Sequence, residues 1–214
     1  MIKPRPELAA LPPYRPGRPP GLEGGDFVNL AANENAFGPS PAAVRALAGL
    51  ALHRYPDMDG PLLLSQLART WQVPADGIVL GTGSGHLIKC LAEAFIRPGD
   101  LVLTARPTFS LYATAAALLG GRVEQLPGDG HQVDFQAFAA LAARLRPRLV
   151  FACSPNNPTG DALDGETLAE LLTALPADGL LVLDEAYVHF AEEPPDAAAL
   201  VRAGAPIAVL RTFS

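Results

Sequence analysis

From Ile78 onward the sequence alternates short apolar runs with longer helical stretches, and this alternation narrows the fold more than any other feature. The short runs that read as strands fall at 78–80, 101–104, 122–126, 148–152, 180–183 and 207–210. The helical stretches lie near 84–96, 110–119, 134–145 and 164–174. Strands separated by helices pair in parallel, because each return to the same end of a sheet needs a crossover. Runs that are apolar throughout belong to strands covered on both faces. The chain is therefore expected to be α/β, with a mainly parallel (mixed) sheet between two layers of helices. No internal repeat competes with that reading.

The segment before Ile78 is less regular. Residues 1 to about 28 are rich in Pro and Gly and lack periodicity, which predicts an extended N-terminal arm. Residues 29–214 are read as one domain. Pro41–Ala51 and Pro61–Trp71 each open on proline and continue in Ala and Leu, as helices do. Hydrophobic residues make up 49% of the chain and charged residues 18%, enough for a sizeable core.

The same composition excludes several functions. A net charge of −6 with scattered basic residues disfavours nucleic acid as a partner. The start, Met1-Ile2-Lys3-Pro4-Arg5-Pro6, has no apolar signal core. No apolar run approaches the ~20 residues that cross a bilayer, so a soluble, cytoplasmic protein with no membrane partner is expected. Cys90 and Cys153 stand apart among apolar neighbours, without the spacing of a metal site. Both are expected to be small buried hydrophobes in a reducing compartment.

Several residues stand where α/β sheets collect ligands. The apolar stretch Gly179–Leu183 runs straight into Asp184, putting a carboxylate at the carboxyl end of a buried strand. Taken alone, Asp184 could equally cap a loop. Asn157 sits between Pro155 and Pro158 in Ser154–Gly160, where the prolines restrict the backbone and make a rigid mount for its amide. Asn156 is read as bracing that turn. Gly81-Thr82-Gly83-Ser84-Gly85 follows an apolar run and opens a helix, so its N–H groups could hold a phosphate. It could also be only a tight turn. The run Ile207–Leu210 delivers Arg211-Thr212-Phe213-Ser214 to the same sheet edge. A domain is not expected to end there, because a further helix and more of the sheet would follow.

Ser154–Gly160, Leu183-Asp184-Glu185-Ala186-Tyr187 and Arg211–Ser214, in that order, resemble the large domain of fold-type I pyridoxal-phosphate aminotransferases. The resemblance implies a three-layer αβα domain binding pyridoxal 5'-phosphate. Asp184 would pair with the pyridine nitrogen, since a buried carboxylate favours the protonated ring. Asn157 and Tyr187 would share the phenolic oxygen. Phe109 would stack on the ring face. Gly83, Ser84, Gly85 and Ser214 would hold the phosphate, joined by Tyr55 from the neighbouring subunit of a homodimer. Phe109 and Tyr187 could instead be ordinary core aromatics, and Tyr55 could pack on its own domain. In that family the residue after the serine of the last motif is the lysine that binds the cofactor covalently. This chain is expected to be truncated there, without that lysine or the C-terminal small domain. Lys3 and Lys89 are its only lysines and match no such position.

Leu11-Pro12-Pro13-Tyr14, Asn29 through Pro41, Arg54-Tyr55-Pro56-Asp57 and Asp184 through Val188 resemble histidinol-phosphate aminotransferases in particular. That resemblance covers the chain from about residue 11. It implies amino transfer between L-histidinol phosphate and 2-oxoglutarate in histidine biosynthesis, with Tyr14 and Asn33 on the substrate side. The chain departs from the pattern at Gly85-His86, where the family often has an acidic pair, and at His189, which replaces an acidic residue. A threonine-phosphate decarboxylase, an aromatic aminotransferase and a catalytically dead pyridoxal-phosphate-binding remnant remain as alternatives.

Overall fold

The computed structural model describes residues 11, 32–51, 53–57, 59–128 and 130–214. Two helices, α1 (Pro41–Ala48) and α2 (Pro61–Trp71), each opening on proline, precede α3 (Ser84–Phe95). Regular alternation then follows: β1 (Leu101–Arg106), α4 (Leu111–Leu118), β2 (Arg122–Pro127), α5 (Phe135–Leu145), β3 (Leu149–Cys153), α6 (Gly165–Ala174), β4 (Leu180–Asp184), α7 (Ala197–Arg202) and β5 (Ile207–Leu210). The strands form one sheet in the order β2-β1-β3-β4-β5. Every pairing among the described residues is parallel, including Leu101↔Arg122, Leu149↔Leu180 and Asp184↔Leu210.

Side-chain alternation splits the core into two layers. Leu103, Val150, Ala152, Leu181 and Leu183 point to one face, where they meet Phe138 and Ala142 of α5 and Leu168 and Leu171 of α6. Val102, Leu149, Phe151, Cys153 and Val182 point to the other face, against Ile88 and Ala92 of α3 and Tyr112 and Ala116 of α4. Successive residues alternating between two packed faces is the period of a strand buried on both sides. Each fully buried leucine here contributes about 1.5–3 kcal/mol relative to exposure.

The crossover hand explains which helices lie where. The chain steps one way from β1 to β2, returns past β1 to β3, and then continues outward to β5. Right-handed crossovers in opposite directions put their helices on opposite faces. Accordingly α4 covers one face and α5 and α6 the other. Aspartates start α5, α6 and α7: Asp134, Asp164 and Asp196 accept from the N–H of Ala137, Thr167 and Ala199 at 2.9, 2.7 and 2.9 Å.

Two expectations are corrected, and one helix is new. The run Ile78–Leu80 joins no ladder among the described residues, and Val79 is 76% exposed; an apolar run becomes a strand only where a neighbour takes up its hydrogen bonds. Helix α7 was not legible as a helix, since six residues carry too little periodicity; its Asp196 cap was the available signal. Cys90 is exposed rather than buried, with its sulfur 3.5 Å from His86 Nε2 one helical turn away. The arm expected over residues 1–28 lies outside the described residues except for Leu11. No helix among the described residues is long and apolar enough to cross a membrane.

Candidate functional site

In a parallel sheet every strand presents its carboxyl end on one edge, and the crevice opens where strand order reverses direction. Here that point lies between β1 and β3. Phe109 follows β1, Asn157 follows β3, Tyr187 follows β4 and Ser214 follows β5, while Asp184 is the last residue of β4. Residues spread over more than a hundred positions thus gather on one edge.

Asp184 is 3% exposed and its carboxylate is held on both oxygens. Tyr112 Oη donates to Oδ2 at 2.7 Å, and the Ala186 N–H donates to Oδ1 at 3.1 Å. Burial raises the Asp184 pKa above the ordinary carboxylate range, and these two hydrogen bonds oppose the rise. Tyr112 is pushed well above its ordinary value, by burial first and then by the Asp184 charge, so it stays a donor. Burial, with Asp184 nearby, raises Cys153 to about 11, which keeps it a neutral thiol. The Tyr112 ring stacks on Phe151 at 5.0 Å and meets Phe109 edge-on at 5.6 Å. Tyr112 was missed in the sequence; its only signal there was its place one helical turn after Phe109.

The Asn157 side chain makes no hydrogen bond among the described residues, and its backbone N–H turns toward Cys153. Tyr187 Oη accepts from Asn33 Nδ2 at 2.9 Å, which leaves the phenolic hydrogen free to donate elsewhere. Asn33 has a positive φ of 53°, a conformation asparagine tolerates better than most residues.

Helix α3 opens differently from α5, α6 and α7. Its N-cap is Gly83, at φ +90°, and no side chain caps it. A Cβ on Gly83 would meet nothing within 4 Å, so its surroundings are open. A Cβ on Gly85 would lie 3.4 Å from Leu111, which sets this helix start beside the loop of Phe109. Gly83 and Ser214 line one cavity of about 760 Å³. Ser214 N and Oγ both contact Thr212 Oγ1, at 3.1 and 2.9 Å.

The segment reaching Ser214 is fastened by Arg211. Its Nε and Nη2 donate to Glu185 Oε2 at 2.8 and 2.7 Å, and its guanidinium lies 5.3 Å from the Trp71 ring centre. Glu185 is raised by burial, with Arg211 opposing. Tyr55 is fully exposed and is not brought to the site by its own chain. Tyr14 lies outside the described residues. Lys89 sits on α3 with its side chain exposed.

The family model described as aminotransferase class I and II matches residues 25–214. The chain belongs to this family. It is 42% identical over 220 residues to a histidinol-phosphate aminotransferase of Moorella thermoacetica, covering 98% of this chain and 57% of that protein. It is also 42% identical to an aromatic amino acid aminotransferase of Thermobifida fusca, covering 98% of this chain and 59% of that one. Among solved structures, the family fold recurs in histidinol-phosphate aminotransferase from Sinorhizobium meliloti in complex with pyridoxal-5'-phosphate. The TM-score is 0.76 at 29% identity, over 86% of this chain and 51% of that one. The chain thus spans a little over half the length of these family members.

Proposed function

We propose that the chain is the cofactor-holding part of a pyridoxal-phosphate-dependent aminotransferase acting between L-histidinol phosphate and 2-oxoglutarate. The observation that carries the cofactor reading is Asp184, buried at a strand end with its carboxylate fixed from both sides. Pyridoxal 5'-phosphate, when bound, supplies a ring that draws electrons from the amino carbon, best with its nitrogen protonated. Asp184 would hold that proton on the nitrogen, because an opposite charge in a buried position favours the cationic form. Asn157 and Tyr187 would donate to the phenolic oxygen, and Phe109 would cover one face against water. The uncapped N–H groups at Gly83, Ser84 and Gly85, with the Ser214 hydroxyl, suit a phosphate. By resemblance, the covalent bond to the cofactor would be made by a lysine adjoining the Arg211–Ser214 motif.

The substrate reading rests on the Tyr14, Asn33 and Tyr55 motifs and on the Moorella relative. An aromatic amino donor is the second reading, favoured by the Thermobifida relative at equal identity. A homodimer is part of the proposal, with the fully exposed Tyr55 reaching the partner's phosphate. Equilibrium dialysis of the 214-residue chain against pyridoxal 5'-phosphate should show uptake of one equivalent, weakened in Asn157→Ala. No uptake overturns the cofactor reading. In a catalytically active form of the protein, a higher kcat/KM for phenylalanine than for histidinol phosphate overturns the substrate.

A further inference from the structure

Asn156 connects two loops that approach the site from different strands. Its side chain is 3% exposed and makes contacts in both directions. Oδ1 accepts from the Thr108 hydroxyl at 2.6 Å, and Nδ2 donates to the Pro107 carbonyl at 3.0 Å. Both partners belong to the loop after β1. Nδ2 also donates to Thr159 Oγ1 at 2.8 Å, on its own loop after β3.

The direction of each bond is set by a carboxylate at the far end. Asp161 Oδ2 accepts from the Thr159 hydroxyl at 2.6 Å and from the Val133 N–H at 2.7 Å. Thr159 has one hydrogen to give, so toward Asn156 it must accept. That turns Nδ2 toward Thr159 and Pro107 and leaves Oδ1 for Thr108. The backbone of Asn156 is fixed as well, its N–H donating to Asp161 O at 2.8 Å and its carbonyl accepting from Gly160 at 2.7 Å. A residue that only braced its own turn would not need partners 48 and 49 positions away.

Phe109 is the next residue after Thr108, and Asn157 is the next after Asn156. We infer that Asn156 is a positioning residue that locks the ring-covering loop of Phe109 to the amide-bearing loop of Asn157, so that the two sides of the crevice hold one spacing. This deepens the cofactor reading above and rests on it for its consequence in binding. The bond network is itself a property of the chain without any ligand.

Two measurements test it on the 214-residue chain. The first is amide hydrogen exchange without cofactor, comparing wild type with Thr108→Val and Asn156→Ala. Thr108→Val removes one hydroxyl and should speed exchange across 154–160, on the opposite loop, as well as across 107–112. Faster exchange confined to the substituted loop overturns the inference. The second is a double-mutant cycle between Phe109→Ala and Asn157→Ala in affinity for pyridoxal 5'-phosphate. Coupling of about threefold or more is expected, and it should vanish when Asn156 is alanine, with affinity itself falling roughly tenfold. Additive effects in the wild-type background, or coupling that survives Asn156→Ala, overturn it. If Asn156→Ala does not fold, Thr108→Val carries both measurements. If the wild-type chain takes up no cofactor, the cofactor reading fails, and the exchange experiment still decides the bridge.

Discussion

Tyr112 gives its phenolic hydrogen to Asp184 across 2.7 Å, although 72 residues separate them in the chain. Both groups are buried, so neither can exchange this partner for water. A hydrogen bond to a buried carboxylate is worth about 1.5–3 kcal/mol. Tyr112→Phe keeps the ring on Phe151 and removes only the donor. It should lower the unfolding free energy by about that amount at neutral pH, as read by urea denaturation. The difference should shrink once the pH falls low enough to protonate Asp184. An equal loss at every pH would mean that the hydroxyl acts through packing alone.

Asp184 also sets a pH dependence whose sign can be worked out. Burial holds its folded-state pKa above the ordinary 3.8, so the folded chain takes up the proton first as pH falls. Its stabilising contribution is full below the ordinary carboxylate range and is lost as pH rises through the folded value. Glu185, raised for the same reason, adds to the same slope. Asp164, lowered by the Thr167 N–H, works the other way and loses stability as pH falls. In Asp184→Asn the unfolding free energy should therefore vary less across the acid range, with the Glu185 part remaining. An unchanged slope would show that Asp184 is not a buried charge in the folded chain.

Removing Arg211 should leave Glu185 buried without its counter-charge. Breaking one partner of a fully buried pair costs about 3–5 kcal/mol, and Arg211 is itself partly exposed, so Arg211→Met should cost about 2–3 kcal/mol. Arg211→Lys should recover little, because a compact ammonium lacks the planar fork that reaches Glu185 with two N–H groups while lying over Trp71. Chemical denaturation at neutral pH measures both. Full recovery by lysine would reduce the contact to a simple charge pair.

Tyr55→Ala should leave the stability of the isolated chain within about 0.5 kcal/mol of wild type, since a fully exposed ring has no packing to lose. If Tyr55 serves a partner subunit, cofactor affinity in the wild type rises with protein concentration, and the alanine variant loses that dependence. Sedimentation in the presence of pyridoxal 5'-phosphate follows association and binding together. The same concentration dependence in both proteins would assign Tyr55 no role between subunits.

The periodicities of this chain determined a great deal without any knowledge of its shape. The apolar runs ending at Asp184 and at Leu210 became β4 and β5, and the proline-first segments became α1 and α2. These signals are local: an all-apolar run or a helix start is written in neighbouring residues, so it can be read from them. What the tertiary structure decided was everything that depends on which strands lie side by side. The order β2-β1-β3-β4-β5 opens the crevice between Phe109 and Asn157, and strand order leaves no mark on hydrophobic period. Tyr112 reaches Asp184, and Thr108 reaches Asn156, only because β1, β3 and β4 are adjacent and parallel. The run Ile78–Leu80 makes the same point in reverse. Its composition suits a strand, but a strand exists only where a second backbone accepts its hydrogen bonds, and among the described residues none does.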